Sequence, residues 1–203
     1  MQQVETNPQN VVKNSSVSTS KIDGQQLKKY LYAGLTWLKA NQQVVNSLNV
    51  FPVPDGDTGT NMFLTLKTAY AEIETDSDTH AGHIAKRFAH GALMGARGNS
   101  GVILSQILRG FARELDGNPY LDSDILVAAL AESRNTAYKG VVRPVVGTIL
   151  TVIKDVARAY EEVHTNSNDM SHSLETILTA AADSVEHTPE LLPILKQAGV
   201  VDS

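Results

Sequence analysis

Two aspartates stand two residues apart in the stretch VFPVPDGDTGTNM, residues 50–62, where Asp55 and Asp57 flank Gly56. Carboxylates held that close repel one another unless a cation lies between them. Magnesium takes hard oxygen ligands in an octahedral array, commonly one or two carboxylates completed by the phosphates of a substrate. An Asp-Gly-Asp sequence is equally compatible with a solvated polar turn, since both residue types favour turns. A calcium loop of the EF-hand type does not fit. Counted from Asp55, the glycine position holds Thr60 and the closing glutamate position holds Leu66. Thr60 and Asn61 then fall at a predicted helix start, where free N–H groups and the helix dipole attract phosphate. A cation site beside an anion site suits the polyphosphate of a nucleotide.

Two more stretches share that character. GARGNSGVILSQ, residues 95–106, offers Gly95, Gly98 and Gly101 for close backbone approach, with Asn99 and Ser100 ahead of an apolar helix. It lacks the Lys-Ser/Thr of a Walker A loop, and a helix rather than a strand precedes it, so it is no dinucleotide fingerprint. Plain helix–loop–helix punctuation with Ser100 as the N-cap is the structural alternative. RPVVGTIL, residues 143–150, places Gly147 and Thr148 before another apolar run, again a helix-start signal. Three such starts, if they converge, build one anion-binding pocket.

Those starts need helices behind them, and the apolar periodicity supplies them. Asp23 caps a helix with Leu27, Leu31, Leu35 and Leu38 on one face, fading near Asn46. A second helix is predicted from about Thr60 to Glu74, and a third over residues 83–96 after the polar break TDSDTH. The fourth opens at Ser100 with Ile103, Ile107 and Phe111 in one stripe. The fifth is capped by Asp122 and ends near Lys139. Ile149, Val152, Ile153, Val156 and Tyr160 mark the sixth, and Leu174, Ile177, Leu178, Ala181 and Val185 the seventh. Thr188-Pro189 reads as the start of a short eighth helix stopped by Gly199. Period-two alternation is missing, so the fold class is all-α, about eight helices in a bundle or barrel. Residues 1–20, polar and aperiodic, read as a flexible tail before a single domain spanning 21–203. The apolar pair before the closing Asp-Ser reads as the cut end of a longer chain.

Composition narrows the functions. The chain has 203 residues, 42% of them hydrophobic, and a formal charge of -5, which disfavours bulk nucleic-acid or membrane-surface binding. It holds no cysteine, which removes disulfides, thiolate catalysis and Cys-based metal sites. No stretch is apolar enough to span a bilayer, and a cytoplasmic location is expected. The six histidines have no metal-ligand spacing, and Trp37 and the tyrosines read as packing residues.

NVFPVPDGDTGTNM, GALMGARGNSGVILSQILRGF, RPVVGTILTV and the closing GVVDS, taken in order, resemble the kinase domain of bacterial fatty acid kinase. That domain falls in the family of the dihydroxyacetone kinase nucleotide-binding subunit, and the resemblance runs from about Ile22 to Ser203. It implies an eight-helix antiparallel up-and-down barrel with ATP or ADP across one end, held through two magnesium ions. Asp55 and Asp57 match two metal ligands. A third aspartate, five residues before the pair in the family, is Val50 here, and Asn49 is the nearest oxygen donor that could replace it. Thr58 and Asn61 match positions near phosphate and metal; Asn99, Ser100 and Gly101 match the nucleotide loop; Thr148 matches a further nucleotide contact. The resemblance also implies a two-component enzyme, in which a separate fatty-acid-binding protein presents a carboxylate and the kinase forms an acyl phosphate. The kinase subunit then carries further domains and could be a homodimer at full length. Arg97 and Arg143 are candidate cations for the transferring phosphoryl. A dihydroxyacetone-type kinase subunit, or a nucleotide-binding module without activity of its own, are the alternatives.

Overall fold

The computed structural model describes residues 21–164 and 170–203. The predicted tail over residues 1–20 lies outside the described residues. Among the described residues eight helices follow one another: α1 (Gly24–Leu48), α2 (Thr58–Ala71), α3 (Ala81–Met94), α4 (Gly98–Leu115), α5 (Ser123–Lys139), α6 (Ile149–Val163), α7 (Met170–Leu191) and α8 (Pro193–Ala198). Among the described residues the one β-type pairing is an isolated bridge between Ile22 and Leu121. The all-α expectation holds.

Each helix packs on the next, and α1 also touches α3 while α2 touches α4. The starts of α1, α3 and α5 share one end: Gly24 N–H donates to the Thr79 carbonyl at 2.7 Å and Ala81 N–H to the Pro119 carbonyl at 3.0 Å. The helices therefore run alternately up and down, and α2, α4 and α6 begin at the opposite end. The core between them is built largely from α3 and its neighbours. Ala81, Ile84, Ala85, Phe88, Ala89 and Ala92 are buried against Ala69, Ile73, Leu115, Leu126 and Ala129. Alanines at helical spacing let the axes approach closely, and the larger side chains fill the remaining volume. The apolar face of α6, Ile153, Val156, Ala157 and Tyr160, closes the same core.

Three local expectations change. The short helix starts at Pro193, the first residue of α8, whereas Pro189 lies inside α7. Pro193 takes the first position of α8, which tolerates its missing N–H, behind a Leu192 that makes no side-chain cap. The second helix begins at Thr58, two residues earlier than predicted. Trp37 is not a packing residue: it is 74% exposed, on a strip of α1 that also carries Tyr30 and Val44 at seven-residue intervals. No helix of the described residues is long and apolar enough to cross a membrane.

Candidate nucleotide site

The end where α2, α4 and α6 begin contains a cavity of about 800 Å³. That volume lies within the range that holds a nucleotide-sized ligand. Polar side chains of Asp55, Asp57, Thr58, Asn61, Asn99 and Ser100 line it. Apolar side chains of Val102, Ile103, Val141, Val142, Val145 and Leu150 line it too. Polar groups for phosphates and apolar ones for a flat base are the lining a nucleotide requires.

The loop bearing the two aspartates is held from behind by Asn49. This buried side chain accepts a hydrogen bond from Asp57 N–H at 3.2 Å and donates to the Val53 carbonyl at 3.2 Å and the Phe51 carbonyl at 3.4 Å. Asn49 lines the cavity, but both its oxygen and its nitrogen are engaged in shaping the loop. Asp57 ends the loop as the N-cap residue of α2 without using its side chain as a cap. Among the described residues neither the Asp55 nor the Asp57 carboxylate has a hydrogen-bond or ion-pair partner in the protein. Both line the cavity. Two free carboxylates on one turn of the cavity lining fit magnesium, which needs few protein ligands when phosphates complete its shell. No group of three or more His, Cys, Asp or Glu residues is arranged to hold a metal by itself among the described residues.

The helix starts differ in how their N–H groups are used. α2 and α4 carry no side-chain cap. At α2, Thr60 N–H is already taken by Asn46 Oδ1 at 3.0 Å, and the Thr60 hydroxyl accepts from Gln42 at 2.8 Å and Asn46 at 3.0 Å. Thr60 is thus turned toward α1 and does not line the cavity; Thr58 and Asn61 do. At α4, Gly98 has φ +58, and a Cβ there would meet Asn61 Nδ2 at 2.4 Å. Only glycine allows this approach, so Gly98 brings the α4 start against the α2 start. Asn99 and Ser100 line the cavity, while Gly101 is buried behind them, its Cα facing Thr65 Oγ1. The N-cap of α4 is Arg97, not Ser100. Arg97 lies outside the cavity lining, its N–H bonded to Thr65 Oγ1 at 3.1 Å, whereas Arg143 is part of the lining.

Thr148 lines the cavity at the head of α6, with its hydroxyl donating to the Val145 carbonyl at 2.8 Å. Two residues that sequence reasoning did not place in the site also line it, Asp202 and Ser203. Burial pushes the Asp202 carboxyl up to about 6, against the lowering effect of N–H groups donated by Ile149 and Ser203. The Asp202 N–H donates to Thr188 Oγ1 at 3.0 Å, and Ser203 Oγ donates to Thr58 Oγ1 at 3.2 Å. The signal available beforehand was the closing GVVDS, one of the four stretches that carry the resemblance.

The sequence matches the family described as the DAK2 domain over residues 52–203. An uncharacterized protein of Staphylococcus aureus strain bovine RF122 is 47% identical over 184 residues, which are 91% of this chain and 34% of that protein. Uncharacterized proteins of strains USA300 and NCTC 8325 match with the same identity and coverage. The chain spans about a third of the length of these curated relatives. The matched stretch takes in the aspartate turn, the starts of α2, α4 and α6, and Asp202, and on this ground the chain belongs to the DAK2 domain family.

Proposed function

We propose that this chain is the nucleotide-binding domain of a kinase, which holds Mg–ATP at the α2–α4 end and delivers its terminal phosphoryl to a fatty-acid carboxylate. The observation that carries the nucleotide reading is the pair of unpartnered carboxylates, Asp55 and Asp57, in the lining of a nucleotide-sized cavity. The DAK2 match supports a kinase-type nucleotide-binding domain. Bound magnesium would neutralise the terminal phosphates, which is most of what phosphoryl transfer requires besides positioning. Asp55 and Asp57 would hold that ion. The uncapped starts of α2 and α4, with Thr58, Asn61, Asn99 and Ser100, would orient the phosphates. Val102, Ile103, Val141 and Val142 would exclude water from the base.

The fatty-acid acceptor is supported by the four ordered motifs and by the chemistry of the lining. A fatty-acid carboxylate is ionised at neutral pH and needs no general base. The titratable lining residues are Asp55, Asp57, Arg143 and Asp202, three of which already have metal-binding or structural tasks. Arg143, which lines the cavity, would steady the transferring phosphoryl. In this reading the carboxylate arrives on a separate fatty-acid-binding protein, and two magnesium ions complete the site. The family name favours a second acceptor, dihydroxyacetone, presented by a different partner. Thermal melts with ATP, with and without magnesium, test nucleotide binding through ligand-linked stabilisation. An acyl-phosphate assay with the lipid-binding partner, run beside a dihydroxyacetone turnover assay, separates the acceptors. Turnover of dihydroxyacetone alone overturns the fatty-acid reading, and no magnesium-dependent stabilisation by ATP overturns the nucleotide reading.

A further inference from the structure

One face of α2 meets the segment around the α4 start residue by residue. Asn61, Thr65 and Thr68 follow at spacings of four and three, so they stand one above another along the helix. Each is met by a glycine of GARGNSG. A Cβ on Gly98 would lie 2.4 Å from Asn61 Nδ2, one on Gly101 2.4 Å from Thr65 Oγ1, and one on Gly95 2.4 Å from Thr68 Cβ. A side chain at any of the three would therefore collide with α2. Of the three glycines only Gly98 lines the cavity.

The centre of this fitting is polar and dry. Thr65 is fully buried. Its hydroxyl donates to the Asn61 carbonyl at 2.7 Å and accepts the Arg97 N–H at 3.1 Å. One hydroxyl thus joins the first turn of α2 to the N-cap residue of α4, the two starts that carry no side-chain cap. Valine would fill the same volume and bury more apolar surface, so packing alone does not call for a hydroxyl there.

We propose that Thr65 is a positioning residue of the nucleotide site: its hydroxyl, in the gap that Gly101 leaves open, fixes the α4 start against the α2 start. Asn61 and the Asn99–Ser100 turn are thereby held toward the same part of the cavity. Thr65 itself does not line the cavity, so it acts through these residues. The glycines are then a fitting between helices, and the phosphates are left to the N–H groups and side chains around them. The effect on nucleotide affinity rests on the nucleotide reading above; the fitting does not.

Amide exchange at Arg97 and calorimetry with Mg–ATP, on the same variants, test both parts. Thr65→Val keeps the volume and loses the hydroxyl. It should speed exchange of the Arg97 amide about fivefold or more and weaken Mg–ATP about tenfold. Thr65→Ser keeps the hydroxyl and should hold both near wild type. Gly101→Ala pushes the same hydroxyl aside and should reproduce both losses. Combined with Thr65→Ala it no longer collides, so the double variant should bind no more weakly than Thr65→Ala alone. Asp122→Ala, which removes a cap at the far end, supplies a destabilised chain that should keep wild-type affinity. An equal loss of affinity there makes the effect one of general stability and overturns the positioning role, as does wild-type affinity in Thr65→Val. Thr65→Ser as weak as Thr65→Val overturns the part given to the hydroxyl. Additive losses in the Thr65–Gly101 pair put Gly101 against the ligand and overturn the fitting. Should Thr65→Val fail to fold, Gly101→Ala decides, and wild-type exchange at Arg97 in that variant overturns the proposal. A wild-type chain that binds no Mg–ATP sinks the functional reading alone, and Arg97 exchange still decides the fitting.

Discussion

The two ends of this bundle treat their helix starts in opposite ways. At one end the starts of α1, α3 and α5 are closed by their own sequence: Asp23 caps α1 in a capping box with Gln26, His80 caps α3, and Asp122 caps α5. The loop before α3 is tied further. Asp78 bonds the His80 N–H, His83 and Arg87, while Lys28 and Gln25 of α1 reach the carbonyls of Glu74, Asp76 and Asp78. At the other end α2 and α4 start without a side-chain cap, and the nearby carboxylates of Asp55 and Asp57 are left facing a cavity. A helix start left open costs stability. Two open starts around one cavity, in a chain that caps α1, α3 and α5, suit an external anion.

The largest break in that contrast should come from the aspartate turn. Asp55→Asn and Asp57→Asn are each expected to weaken magnesium-dependent ATP binding by about 100-fold or more, with melting temperature unchanged, as measured by calorimetry beside thermal denaturation. The melt matters because neither side chain supports another protein group among the described residues.

Next comes the glycine that joins the two open starts. Gly98→Ala places a Cβ at φ +58 within 2.4 Å of Asn61 Nδ2. It should cost about 1–2 kcal/mol in urea denaturation and also weaken nucleotide binding, because Asn61 must move. A variant that loses stability but keeps wild-type affinity would show that the two starts need not be held together.

Removing caps at the tied end should do the reverse. Asp23→Ala and Asp122→Ala are each expected to cost about 1 kcal/mol in chemical denaturation, with Mg–ATP affinity unchanged.

The smallest effect is a pH dependence of opposite sign at the two ends. The His80 N–H, with His83 and Arg87, holds the Asp78 carboxyl down from 3.8 to about 2. Its contribution to stability is full above pH 3.8 and is lost as the pH falls through about 2. Asp202 is raised from 3.8 to about 6 by burial, so its contribution is full below pH 3.8 and is lost as the pH rises through about 6. Asp78→Asn should flatten the acid limb of a stability-versus-pH curve, and Asp202→Asn the limb between those two values.

How much of this was readable beforehand follows from how local each interaction is. The caps at Asp23 and Asp122, the stop at Gly199 and the face of α6 depend on neighbours within a turn or two, and the sequence displays them. Asp55, Asp57, Thr58, Asn61, Asn99, Ser100 and Thr148 were singled out from motif and resemblance, and the fold brings all seven to one cavity. Thr60 was not separable from Thr58, because its turning toward α1 depends on Gln42 and Asn46, well back along the chain. The loop-shaping task of Asn49 depends on a backbone path that type and spacing do not specify. Asp202 was the hardest, because its partner Thr188 lies fourteen residues back, on α7, and no local pattern links them. Trp37 misled for a related reason: an aromatic at helical spacing reads alike on a buried face and an open one.

The contrast between the ends is tested most directly by residue-resolved amide exchange with and without Mg–ATP. The account predicts new protection at Thr58 and Gly59 and from Gly98 to Ser100, with the first turns of α1, α3 and α5 unchanged. Protection that leaves the α2 and α4 starts untouched, or that appears first at the capped starts, would contradict it.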